Sequence, residues 1–149
     1  MHWGTSLWYF FHTYAEKIND NFFKENRVII INQFITCINL LPCPLCQEHA
    51  KSNLKNYNLN LIKSKENYKE FLLKFHNDVN KNLKKQEFTL NELNKKYSKA
   101  NFNNIIINAT NNFTKNIHLS RNLNDSMLRK MEFSKILNFI KVNKNNFEW

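Results

Sequence analysis

Both prolines of this chain fall in the stretch Leu41-Pro42-Cys43-Pro44-Leu45-Cys46-Gln47-Glu48-His49-Ala50, and their placement divides the fold. Pro42 disfavours the α conformation in Leu41 and so closes the apolar segment before it. Pro44 suits the first turn of a new helix, where no N–H is needed. Cys43 is thereby predicted at a helix N-terminus. The exposed N–H groups and the positive end of the dipole there favour thiolate over thiol, which directs a C-x-x-C pair toward redox chemistry. Two other readings compete. A zinc site would draw on Cys43, Cys46 and His49, but the spacing offers no second ligand pair of the usual kind and no fourth ligand. Two inert cysteines between prolines are a poor way to fill a core. The redox-active disulfide is favoured, with flanks that read as helical rather than βαβ.

Composition supports an all-α chain. At 149 residues it is long enough to bury one core without disulfide staples, so a single unit of ordinary size is expected. One Gly leaves few turn signals for an all-β fold, and 13 Phe indicate a core of bulky rings. The net charge of +10 comes from lysines scattered along the chain with no recognition motif beside them, so no nucleic-acid partner is expected. The opening Met1-His2-Trp3-Gly4 lacks the charged, apolar and cleavage regions of a signal peptide, which predicts a cytoplasmic protein. No uncharged apolar run nears the roughly 20 residues of a membrane span, so no membrane partner is expected either. In such a compartment a disulfide is more often catalytic than structural.

Periodicity places the helices. Trp8, Phe11, His12, Ala15, Ile18 and Phe22 recur at three- and four-residue steps, predicting a first helix from Thr5 to Phe23. Trp8 and His12 neighbour each other on it, and taken alone they read as a core Trp beside a hydrogen-bonded His. A second helix is predicted from Arg27 to Leu41, with Cys37 as a small core residue. A third runs from Pro44 to about Leu54, followed by a polar connection through Asn60. The fourth, from about Glu66 to Lys85, carries His76 and Asn80 one turn apart on the side of Leu72, Val79 and Leu83. Burying both costs free energy unless they find partners, and a polar ligand is one reason to keep them. A short fifth helix holds Leu90, Leu93 and Tyr97. The rest reads as a polar connection from Asn101, then a helix from about Asp125 to Val142 whose periodic set is Leu128, Met131, Ile136, Leu137 and Ile140.

Gly4, Trp8 and His12, then Cys43-Pro44-Leu45-Cys46, then His76-Asn77-Asp78-Val79-Asn80 running on to Lys85, together resemble the FAD-dependent sulfhydryl oxidases of the Erv/ALR family. The likeness is strongest to short members encoded by large cytoplasmic DNA viruses, which extends the location to host cytoplasm, viral factory or virion. It covers Met1 to about Tyr97. It divides the chain into an oxidase domain at 1–98 and a C-terminal extension at 99–149, partly helical and of unassigned role. The resemblance implies a four-helix bundle with a short fifth helix holding FAD, paired as a homodimer. It implies a thiol oxidase that forms disulfides in a protein dithiol, such as a thioredoxin-like carrier, and reduces O2 to hydrogen peroxide. It gives Cys43 the role of the cysteine attacked by substrate thiolate and Cys46 that of electron donor to the flavin. Gly4, Trp8, His12, His49, His76, Asn77, Asn80, Lys85 and Tyr97 are the implied cofactor-binding residues, and no metal is implied. Rings there stack on adenine or isoalloxazine, and a lysine offsets diphosphate charge.

Two departures stand out. Thr5 replaces an Arg, and Tyr97 a Trp, found in many cellular members. Cellular members also carry a further shuttle disulfide, whereas here the remaining cysteine is Cys37, so a client is expected to dock on Cys43 directly. Cys37 itself is open to three readings: a buried thiol, a bridge between copies, or a relay. The alternative in another class is a basic helical module that binds zinc or nucleic acid without catalysis.

Overall fold

The computed structural model describes residues 2–114 and 123–149. Among them are seven α-helices: α1 Trp3–Lys17, α2 Asp20–Asn39, α3 Pro44–Leu54, α4 Lys65–Asn82, α5 Leu90–Ser98, α6 Phe102–Ala109 and α7 Leu123–Val142. The fold is all-α. The His2 imidazole caps α1 by accepting from the Gly4 N–H at 3.1 Å. A Cβ at Gly4 would stand 3.2 Å from His2 Nδ1, so glycine is what lets the ring lie this close.

The first predicted helix does not run to Phe23. It stops at Lys17, with Ile18 extended at φ −73, ψ 142, and the Asn19 side chain then caps α2 by accepting from Phe22 N at 3.0 Å. Ile18 and Phe23 are nonetheless both buried, so the apolar period continues across a corner that it cannot reveal. The corner is tied down from the far end of the chain. Asn19 N donates to Asn146 O at 2.7 Å and Glu148 N to Lys17 O at 2.8 Å, making an isolated bridge between Ile18 and Phe147. α2 thus starts seven residues before Arg27, but it is kinked at Asn26 (φ −118, ψ 17), so its regular part does begin at Arg27. Lys17, also buried, donates to Ser98 O at 2.8 Å and caps the end of α5.

α4 ends three residues before Lys85. Lys84 takes φ 56, its N–H bonds Lys81 O, and Lys85 N bonds Asn80 O at 2.8 Å, which is the Schellman arrangement built on a lysine instead of a glycine. Leu83, expected on the inner face, therefore lies past the helix and is 57% exposed. α5 opens with a capping box in which Thr89 and Glu92 each satisfy the other's backbone N–H.

The tail departs most from expectation. Where a polar connection was predicted from Asn101, α6 forms instead, capped by Asn101 on Asn104 N. Residues 115–122 of that connection lie outside the described residues. Phe102 of α6 is fully buried against Phe10 and Tyr14 of α1, both at 6.3 Å between ring centres. α7 forms as expected but shows the core a different face. Arg129, Phe133, Ile136 and Ile140 are inward, while Leu128 and Met131 are 41% and 50% exposed. Phe102, Phe113, Phe133, Ile136, Ile140 and Phe147 join the residues of α1, α2 and α4 in one hydrophobic cluster. Cys37, 1% exposed, is part of that cluster.

Candidate active site

Two groups of chemically able side chains lie among the first five helices. The first is the dithiol. Pro44 opens α3, and Cys43 stands as its N-cap with extended backbone (φ −102, ψ 115), accepting on Sγ from Cys46 N at 3.3 Å. Both thiols are free and half-buried, and Leu45 between them is exposed, so the pair is open to approach. Burial, followed by its bond to Cys43 and the charge there, pushes the Cys46 thiol up to about 11. The Cys46 thiol is thereby kept protonated, while the Cys43 sulfur receives the helix N–H.

The second group is a cluster of rings where α1, α4 and α5 meet. Trp8 stacks on His76 with centres 4.0 Å apart and planes 7° from parallel. His12 stacks on Tyr97 at 5.1 Å. His12 Nε2 and His76 Nδ1 are 2.9 Å apart, so one ring donates and the other accepts. Burial, with help from Lys96 and Lys85, pushes the His76 imidazole down to about 4. Burial, then His76 and Lys96, holds His12 well below its ordinary value. Both rings are neutral at neutral pH.

The remaining predicted residues are placed less alike. Asn80 is buried, and its amide donates to Gln86 O at 3.0 Å. Asn77 donates to Phe88 O and accepts from Phe88 N, both at 2.8 Å. These two asparagines fold the chain after α4 back over it and hold the Phe88 ring 5.5 Å from His76. Lys85 is exposed on that same segment. Gly4 is in the first turn of α1, and His49 is exposed on α3 outside the ring stack. Lys96, not singled out from sequence, lies 4.4 Å over the Tyr9 ring and bears on both imidazoles. In a chain with 22 Lys and Arg its position alone carried no signal.

Polar atoms of α1 and α5 are also left unpaired. Trp3 Nε1 and Ser6 Oγ on α1 and Asn94 Oδ1 on α5 are buried with no hydrogen bond. Asn94 shares a void of about 10 Å³ with His12, Leu93 and Tyr97. Among the described residues, no three His, Cys, Asp or Glu side chains gather to hold a metal ion.

The Erv1/Alr family model matches residues 5–99, which is α1 through α5 with both groups of side chains. The chain belongs to the Erv1/Alr family. Among its relatives are proteins named FAD-linked sulfhydryl oxidase from two isolates of African swine fever virus. One is 32% identical over 105 residues, covering 70% of this chain and 87% of that protein. The other is 32% identical over 100 residues, covering 67% and 83%. No solved structure matches the chain significantly. In this Erv1/Alr chain α6 and α7 lie beyond the family match.

Proposed function

We propose that the chain is an FAD-linked thiol oxidase that forms disulfides in protein dithiols. The observation that carries this reading is Cys43 as the N-cap of α3 with the Cys46 N–H on its sulfur, in a chain of the Erv1/Alr family. In the oxidised enzyme a substrate thiolate attacks Cys43 Sγ of the Cys43–Cys46 disulfide and releases the Cys46 sulfur. The second substrate thiolate then attacks the mixed disulfide and releases Cys43, so the substrate leaves as a disulfide and the enzyme keeps two electrons as a dithiol. The helix N-terminus stabilises Cys43 as the leaving thiolate in that second step.

We place the flavin dinucleotide at the ring cluster, whose rings stack on one another and would part to admit it. Trp8, His12, His76 and Tyr97 are the flat neutral rings it would meet, and the unpartnered Asn94 Oδ1 lies beside His12 and Tyr97 as an acceptor. Lys85 is an available charge for the diphosphate, with Lys96 near it in effect on His76. Asn77 and Asn80 shape the segment that carries Lys85, Gly4 lets His2 close the start of α1, and His49 stands one turn beyond Cys46. When bound, FAD supplies a two-electron acceptor that O2 reoxidises to give hydrogen peroxide. We assign the chemistry to residues 1–98 and read 99–149 as an extension whose helices α6 and α7 pack on them. A thioredoxin-like carrier is the client proposed, with a homodimer as the working form in the cytoplasm of a host cell. Among the described residues no helix is long and apolar enough to cross a membrane.

The test is spectroscopic and kinetic. The purified protein is expected to show flavin absorbance and to consume oxygen with a small dithiol. Cys46→Ser should keep flavin and lose turnover, and Cys43→Ser should lose turnover as well. A colourless protein that does not take up added FAD would overturn the reading.

A further inference from the structure

α7 reaches the dithiol loop through one side chain. Arg129 is 2% exposed, and its Nε donates to Leu40 O at 2.8 Å. Leu40 is the C-cap of α2, a helix with no basic residue in its own last turn to meet the negative end of its dipole. The next carbonyl, Leu41 O, accepts from Gln47 Nε2 of α3 at 2.6 Å. The two residues between α2 and Pro42 are therefore each held by a side chain, one from α7 and the other from α3.

Packing alone does not explain an arginine here. Its guanidinium lies 5.7 Å over the buried Phe113 ring, NH1 has no hydrogen-bond partner, and burial lowers its affinity for the proton. A buried cation with an unmade bond is costly, and an apolar side chain on Phe113 would avoid that cost. Asp125, one turn earlier on α7, offsets part of the charge, and what the arginine adds to the α2–α3 corner is the bond to Leu40. We propose that Arg129 is a positioning residue for the redox dithiol: holding the Leu40 carbonyl keeps the α2–α3 corner in the shape that makes Cys43 the N-cap of α3. The inference rests on the oxidase reading above, and it gives the segment beyond the family match a part in the chemistry.

The consequence is thermodynamic. As N-cap, the Cys43 sulfur receives the Cys46 N–H, which stabilises the reduced pair and makes the disulfide a stronger oxidant. Loosening the corner removes that advantage. The experiment equilibrates the purified protein with reduced and oxidised glutathione in the absence of oxygen, where two glutathione thiols become one disulfide as Cys43–Cys46 opens to a dithiol. The Cys43–Cys46 disulfide fraction is read by mass after alkylation, in a Cys37→Ala background.

Arg129→Met, which keeps the aliphatic bulk but no donor, should shift the equilibrium about tenfold toward disulfide, or about 30 mV for this two-electron couple. Arg129→Lys, which keeps the charge and one donor arm, should shift it about threefold. If Arg129→Met lowers the melting temperature but leaves the equilibrium within about twofold of wild type, the residue merely holds α7 in place and the inference fails. Should Arg129→Met not fold, Arg129→Lys decides alone, and no shift in it overturns the proposal. A wild-type protein that forms no Cys43–Cys46 disulfide at any glutathione ratio sinks the oxidase reading and this inference with it. A wild type that cycles normally beside unshifted variants sinks only the inference.

Discussion

Lowering the pH from 7 to 5 should destabilise this protein through its buried imidazole pair. His76 is pushed from the ordinary imidazole value of 6.5 down to about 4, chiefly by burial, and His12 is displaced in the same direction. For groups depressed in this way the unfolded chain takes up protons first. Their contribution is whole above pH 6.5 and is lost as pH falls from there toward about 4. For His76 alone the linkage amounts to about 2 kcal/mol between pH 7 and pH 5. That is a large part of a total stability of about 5–15 kcal/mol, and it corresponds to a fall of about 4–8 °C in melting temperature. Asp20 does not share the window, since hydrogen bonds from Lys65 and Lys24 hold it below 3.8 and its contribution is lost only at lower pH. Urea unfolding followed by circular dichroism at several pH values measures the effect. His76→Phe keeps a ring against Trp8 but cannot titrate, so it should reduce the loss between pH 7 and 5 by about 2 kcal/mol. A wild-type stability that is flat over this range, or a His76→Phe slope equal to wild type, would refute the argument that these rings are buried and neutral.

Two more outcomes follow from the core. Cys37 is buried and its thiol is pushed up by desolvation, so it should resist alkylation in the native protein and react only on unfolding. Cys37→Ala should cost about 1–2 kcal/mol and leave dithiol turnover intact, whereas selective loss of protein-client oxidation would make Cys37 a relay. Phe102 is fully enclosed by Phe10, Tyr14, Phe147 and Trp149, so Phe102→Ala should cost about 3–5 kcal/mol in urea unfolding. A loss below about 1 kcal/mol would mean that α6 does not pack on α1 in solution.

The local chemistry of Pro42, Pro44 and Cys43 was enough to start α3 at Pro44 and put a cysteine on its N-cap, because a pyrrolidine ring acts on its immediate neighbours. Three- and four-residue spacing was likewise enough to bury His76, Asn80 and Cys37, since Leu72 stands four residues before His76 and Phe34 and Leu41 stand three before and four after Cys37, all of them buried. The motif spacing carried the family, which the match over residues 5–99 bears out. Other features depended on partners far along the chain. The break at Ile18 is held by Asn146 and Phe147, about 130 residues away, and its local sign, the Asn19 that caps α2, is hard to single out in a chain so rich in Asn. α6 is short and rich in Asn and Ile, so its helix is fixed by Phe102 entering the space beside Phe10. α7 has apolar residues on more than one side, and the inward choice of Arg129 and Phe133 over Leu128 and Met131 was made by Phe113, Phe10 and the Leu40 carbonyl. Asn77 and Asn80, which the resemblance implies as cofactor contacts, also bond the backbone of Phe88 and Gln86 through their amides, and that folding-back could not be read from their spacing. Caps and periodicity act within about one helical turn, while the choice among faces that are locally equal in energy belongs to whichever distant surface is there to be covered.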